Sequence, residues 1–305
     1  MKKYLIYILL ISSWVSAQQD VYFSLMEYQM TLVNPAYAAA EANQILSIHS
    51  RNQWSNAEDN SKTLSMAYSV ARKKNIGLGI SVISDQVFVE KQTFVAVDFS
   101  YKLKLNEDAS MYLGLKGGLN SFRLDTSKLI SYSPQTDPAK KMMSRLLPNL
   151  GVGFLYKHKT HWISAAIPRL FNSKEDDEVV LNPREKIHFY FGAGAKLSIT
   201  SDVAIEPTIS MRSTEGVGAI TEGVLWGNYQ NKFRFGIGLR TASVLSLKAN
   251  LLLNDIFSIS YAYDSYRESN LSAIQLNTHE IGLQIRFSSK NSTPDSAMEE
   301  TVKGE

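Results

Sequence analysis

The residues best suited to chemistry in this chain are five histidines, His49, His158, His161, His188 and His279. His279-Glu280 opens like the helical zinc motif in which two histidines four apart hold the metal and the glutamate activates water. Position 283 is Leu, so the second ligand is missing. His158 and His161 flank a turn-like stretch and could clasp a metal, but a solvated turn is the favoured reading. His49, Ser50 and His279 would meet at one rim if the first and last segments of the fold paired. Those are ingredients of a hydrolase without a fixed geometry. There is no G-x-S-x-G nucleophile motif. Gly77, Gly79, Gly114, Gly117 and Gly118 lie inside alternating segments rather than at a strand-to-helix turn, so they form no phosphate cradle. The chain has no cysteine, which removes thiol catalysis, disulfides, thiolate metal sites and an N-terminal lipid on cysteine. The expectation is a protein with no catalytic residue, no metal site and no cofactor.

The elements that would position any site are unusually regular. Val95, Val97, Phe99, Tyr101, Leu103 and Leu105 alternate with Ala96, Asp98, Ser100, Lys102 and Lys104. A second run sets Ile187, Phe189, Phe191, Ala193, Ala195 and Leu197 against Lys186, His188, Tyr190, Gly192, Gly194 and Lys196. A third sets Phe233, Phe235, Ile237 and Leu239 against Arg234, Gly236, Gly238 and Arg240. A period of two means a strand with one apolar and one polar face. Strands of soluble sheets usually end after about 5–6 residues, whereas strands that cross a bilayer need about 9–11. The pattern predicts an all-β fold, a transmembrane antiparallel β-barrel of the outer membrane of a Gram-negative bacterium.

Fourteen strands are predicted, near 44–52, 61–70, 76–84, 92–105, 109–121, 147–157, 160–168, 185–198, 202–212, 217–226, 231–240, 244–253, 256–264 and 277–287. The stretches 44–52 and 217–226 alternate poorly, so twelve strands is the alternative. With both termini of the barrel periplasmic, the periplasmic connections are short and turn-like, and the outer set holds the long ones, 122–146, 169–184 and 265–276. The polar faces carry Lys102, Lys104, Lys116, Lys196, Arg234, Arg240, Lys248 and Arg286 against Asp98, Glu206 and Glu280, a polar and mildly basic lumen. Either these charges fill a closed barrel as a salt-bridge network or they line an anion-selective pore.

Residues 1–17 read as a secretory leader: Lys2 and Lys3, an apolar run from Tyr4 to Ile11, then Val15-Ser16-Ala17 with cleavage after Ala17. Residues 18–43 lack alternation, and Asn34-Pro35 should break any strand there, so the segment is a lead-in or a plug. Residues 44–287 form the barrel, and 288–305 form a polar, flexible tail. The chain has 32 Lys and Arg and 29 Asp and Glu, a formal charge of +3 that falls to +1 once Lys2 and Lys3 leave with the leader. That balance offers no case for nucleic acid.

Several short strings occur in a telling order. They are Gln19-Asp20-x-x-Phe23-Ser24, Asn34-Pro35-Ala36-Tyr37-Ala38, Arg51-x-Gln53-Trp54 and Asn75-Ile76-Gly77-Leu78-Gly79. Leu147-Pro148-Asn149-Leu150-Gly151-Val152-Gly153 follows, leading to Ile167-Pro168-Arg169-Leu170. Ser260-Tyr261-Ala262-Tyr263-Asp264 and His279-Glu280-Ile281 close the series. Together these resemble the PorP/SprF family of outer-membrane proteins from Bacteroidetes, over about 19 to 287. One departure is Ala39, where the family often has glycine. The resemblance implies a barrel of the type IX secretion system. Such barrels assist export or surface anchoring of large secreted proteins, often gliding adhesins, that carry a C-terminal sorting domain. For some members it also implies periplasmic components linked to peptidoglycan. The competing expectation is a passive pore or a channel for hydrophobic solutes.

A partner-binding barrel needs exposed contact residues. The candidates are Tyr132, Lys140 and Lys141 in one long loop and Glu175, Asp176 and Asp177 in the next. Asn34, Pro35, Tyr37, Arg51 and Trp54 join them from the family-like strings, with Trp54 also suited to an interfacial aromatic belt.

Overall fold

The computed structural model describes residues 22–41, 44–55, 60–72, 75–125, 143–171, 187–214, 217–241, 243–266 and 277–287. The expected leader and tail lie outside them. Three 3-10 turns come first, η1 (Met26–Tyr28), η2 (Met30–Leu32) and η3 (Pro35–Ala39). Strands β1 (Gln44–Gln53), β2 (Ser61–Arg72), β3 (Ile76–Val87), β4 (Glu90–Lys104) and β5 (Ala109–Leu124) follow. Then come β6 (Met143–His158), β7 (His161–Ile167), β8 (His188–Ala195), β9 (Leu197–Ser198) and β10 (Val203–Thr214). The last are β11 (Val217–Tyr229), β12 (Phe233–Arg240), β13 (Val244–Leu252), β14 (Phe257–Tyr266) and β15 (Asn277–Phe287).

Apart from β8 and β9, which do not pair with each other, every strand pairs antiparallel with its neighbours along the chain, and β1 pairs β15 from Gln44↔Phe287 to Gln53↔Thr278. The sheet therefore closes, as a sheet that crosses a membrane must. The segments β8 and β9 are two pieces of one stave, since both pair β10 in a single register. Pro207 explains the break. It has no N–H to give the ladder, and it falls opposite the junction between the two pieces. The barrel thus has fourteen staves, and the two poorly alternating stretches are full strands, β1 and β11.

One end of the barrel carries only tight connections, none longer than the four residues of 105–108, 199–202 and 253–256. Their chemistry is local. Asn106 Oδ1 accepts from the N–H groups of Asp108 and Ala109, Asn254 Oδ1 from Ile256 and Phe257, and Thr200 Oγ1 from Asp202 and Val203. In the three-residue connection 230–232, Gln230 and Asn231 both have positive φ, and Lys232 N–H donates to the Tyr229 carbonyl across them, a tight turn whose twist matches the strands. The opposite end carries the long connections after β5, β7 and β14.

The outer wall is apolar. Leu115, Val97, Leu239 and Ile281 are each more than half exposed, far beyond what a soluble surface tolerates in one continuous band. The inner wall is polar: Lys116, Glu280, Asp264 and His49 are almost wholly buried. The fold is inverted relative to a soluble protein because its solvent outside is lipid.

Candidate functional site

The lumen is occupied by the chain itself. Residues 22–41 start in the half toward the long connections and descend to the short-turn end, where β1 begins. Three apolar patches seat them against different sectors of the wall. Leu25 and Tyr28 pack on Val224, Trp226 and Ala262; Phe23, Leu32 and Val33 on Ala67; Ala36 and Ala39 on Tyr112 and Leu155. Backbone groups that no helix or sheet satisfies are met by wall side chains. Ser47 Oγ and Gln284 Nε2 donate to the Tyr28 carbonyl, Lys116 Nζ to that of Thr31, and Ser100 Oγ to that of Ala36.

The upper anchor is electrostatic. The N–H groups of Ser24 and Leu25 donate to the two oxygens of Glu280 at 2.7 and 3.3 Å. Ser24 Oγ donates to Asp264 at 2.6 Å, and Arg240 Nη2 reaches the same carboxylate oxygen at 2.7 Å. Lys248 holds Glu222 at 2.7 Å, and the Tyr22 hydroxyl donates to Glu222 at 2.9 Å. Burial, followed by the Glu222 carboxylate, pushes the Tyr22 phenol up, so it stays a donor. His49 Nδ1 lies 3.3 Å from Glu280. Each buried carboxylate here has a cation or backbone donors, as a low-dielectric site demands.

The lower anchor is steric. Asn34 caps η3, its side-chain oxygen accepting from Ala36 N–H, and its Nδ2 donates to the Phe154 and Ala165 carbonyls. Pro35 takes the first helical position, where its missing N–H costs nothing. The turn then lies on bare backbone. A Cβ at Gly77 would run into Ala38 and Ala39, one at Gly114 into Pro35 and Ala36, and one at Gly153 into Asn34. Three strings far apart in sequence are thus two halves of one contact.

The wall also leaves space. Near Met26, Met30, Val33, Trp162 and Trp226 is a mostly apolar cavity of about 90 Å³. Below the segment, at the short-turn end, is a polar vestibule of about 430 Å³. Glu27 and Glu206 at its roof share Arg234, at 3.5 and 2.7 Å. Burial pushes the Glu27 carboxyl up, against the pull of Arg234.

The expected partner-contact residues do not gather in one place. Asn34, Pro35 and Tyr37 sit together inside the lumen, Tyr37 against Trp162. Arg51 faces the lumen at the other end and donates to Gln53, and Trp54 lies on the rim with φ of 57°. Tyr132, Lys140, Lys141, Glu175, Asp176 and Asp177 fall outside the described residues. His158 and His161 stack at 4.5 Å, with the Thr160 hydroxyl 3.0 Å from one ring and 3.2 Å from the other. His279 lies 2.7 Å from the Tyr261 hydroxyl on the outside of the sheet, apart from the buried His49. Among the described residues no group of three His, Cys, Asp or Glu is placed to hold a metal. Asp264, Glu222 and Gly114 matter to the anchors and escaped sequence reasoning. Inward parity was the available signal, and it could not say what faced them.

A family model described as type IX secretion system membrane protein PorP/SprF matches residues 15–285. Among solved structures, the CymD monoaromatic hydrocarbon channel aligns with a TM-score of 0.55 at 11% identity, covering 90% of this chain and 95% of that one. A deletion mutant of the TodX monoaromatic hydrocarbon channel aligns with a TM-score of 0.51 at 9% identity, covering 85% and 93%. At such identities the likeness is one of fold, the outer-membrane barrel. No curated protein matches the chain.

Proposed function

We infer the following from the premise that this chain belongs to the PorP/SprF family of type IX secretion system membrane proteins, in the outer membrane of a Gram-negative bacterium. It is a non-enzymatic barrel that assists export or surface anchoring of secreted proteins, such as gliding adhesins with a C-terminal sorting domain. Its leader is removed after Ala17, the short-turn end faces the periplasm, and residues 22–41 act as a plug. The long connections, with Tyr132, Lys140, Lys141 and Glu175 to Asp177, then face the cargo. Periplasmic components linked to peptidoglycan would meet the other end.

The observation that carries this reading is the seated N-terminal segment. A barrel whose lumen is filled from Ser24 to Ala40 and bonded to most of its staves offers surfaces rather than a passage. The test is an affinity pull-down of the detergent-solubilised protein from outer membranes, read by mass spectrometry. Co-purification of a large protein with a C-terminal sorting domain, or of periplasmic type IX components, is expected. A barrel recovered without either would count against it.

A second reading, a channel for hydrophobic solutes, draws on the apolar cavity beside Met26 and Trp162. Such a channel needs residues 22–41 to move aside. It predicts uptake of small hydrocarbons into liposomes, and the anchoring reading predicts none.

A further inference from the structure

The vestibule below the plug differs in charge from the rest of the lumen. Lys157 on β6, Lys196 beside β9, Arg234 on β12 and Arg286 on β15 line it from four sides. Glu27 and Glu206 are already engaged by Arg234, with Lys196 3.8 Å from Glu206. Lys157 reaches only the Ala40 carbonyl, at 3.5 Å, and Arg286 reaches only Gln284, at 2.7 Å. Among the described residues neither has a carboxylate partner. A volume of about 430 Å³ falls in the size range of ligand sites.

The rest of the lining narrows the ligand. Asn228, Asn231 and Asn250 stand between the cations; Asn228 is held by Glu206 and Asn231, which leaves Asn231 Nδ2 and Asn250 Oδ1 without a hydrogen bond among the described residues. An amide side chain both donates and accepts, which suits the alternating N–H and C=O of a peptide backbone. Cations spread over separate staves suit several carboxylates along a chain better than one compact anion, which is gripped by donors converging on a point. We propose that this vestibule is a docking pocket for an acidic peptide segment of a partner protein, with Lys157 and Arg286 meeting its carboxylates and Asn231 and Asn250 its backbone. The proposal deepens the partner-binding reading by naming the partner's chemistry. It rests on that reading only for which compartment supplies the partner.

The experiment uses the full chain in detergent, where both ends are accessible, so failure here is distinct from a wrong orientation in the membrane. Fluorescence anisotropy follows binding of a labelled peptide of alternating glutamate and asparagine. Saturable binding that weakens with salt is expected. It should fall about tenfold or more in the double variant Lys157→Gln, Arg286→Gln. Lys157→Gln alone keeps the test sound should the change in the closing strand impair assembly, and a several-fold loss is expected from it. Equal binding of a control peptide with glutamine for glutamate would overturn the proposal, as would unchanged affinity in the variants. Displacement of the peptide by inorganic phosphate at equal concentration would assign the site to small free anions and overturn it too.

Discussion

In the half of the lumen toward the long connections, Asp264 meets Arg240 at 2.7 Å and Glu222 meets Lys248 at 2.7 Å. At the short-turn end, Lys157 and Arg286 meet no carboxylate among the described residues. The same staves build both regions. The difference is what each faces. The upper charges face a buried segment and must be neutralised in place, since an unpaired charge there costs several kcal/mol. The lower cations face an open vestibule where water screens them, so their surplus is tolerated and is free to meet a ligand. For these four cations, matched charge goes with the seal and unmatched charge with the opening.

The largest effect that would break this contrast is expected from Gly114→Val. The new side chain would collide with the backbone of Pro35 and Ala36 rather than with a flexible side chain, so the turn must leave its seat. Overpacking alone costs about 1–3 kcal/mol. Conductance in planar bilayers should rise and residues 22–41 should become accessible to protease. A closed, protected barrel would show that the steric anchor is dispensable.

Next comes Glu280→Gln. It keeps the shape but removes the charge that holds the Ser24 and Leu25 N–H groups. A loss of roughly 2–4 kcal/mol is expected, read as a lower thermal midpoint with the barrel still assembled. An unchanged midpoint would mean that the apolar patches alone hold the segment.

The double variant Lys157→Gln, Arg286→Gln sharpens the comparison from the other side. Screened, unpaired cations contribute little, so stability should stay within about 0.5 kcal/mol of the parent. A large drop in the thermal midpoint would show that these charges belong to the seal.

The smallest effect concerns the turn pair Asp108 and Lys159. The hydrogen bond from Lys159 holds the Asp108 carboxyl below its usual range. A depressed carboxyl contributes stability above its ordinary pKa of about 3.9, and that contribution disappears as pH falls through the lowered value. Asp108 is exposed, so Asp108→Asn should lower the thermal midpoint only slightly at neutral pH. The difference should vanish in acid, and a difference that persisted there would assign the effect to the turn geometry.

Much of this protein was legible in its sequence. The alternation that names the barrel, the fourteen strands and the sorting of loops to two ends are local properties, because a strand's period and a turn's residues act within a few positions. Even β1 and β11 were placed, though they alternate poorly: Ser50 faces outward on β1, and Glu222 faces inward on a strand broken by small residues. The inward parity of Lys116, Arg240 and Lys248 was legible as well. Their partners were not. Asp264 and Ser24 are separated by 240 residues, Glu280 and Ser24 by 256, and only closure of the barrel brings them together. Nor could Gly77, Gly114 and Gly153 be told from ordinary lumen glycines until Asn34 to Ala39 lay across them. A side chain's face follows from its own stretch of chain. What stands opposite it across a lumen follows from the path of the whole chain, and only the tertiary structure decides that.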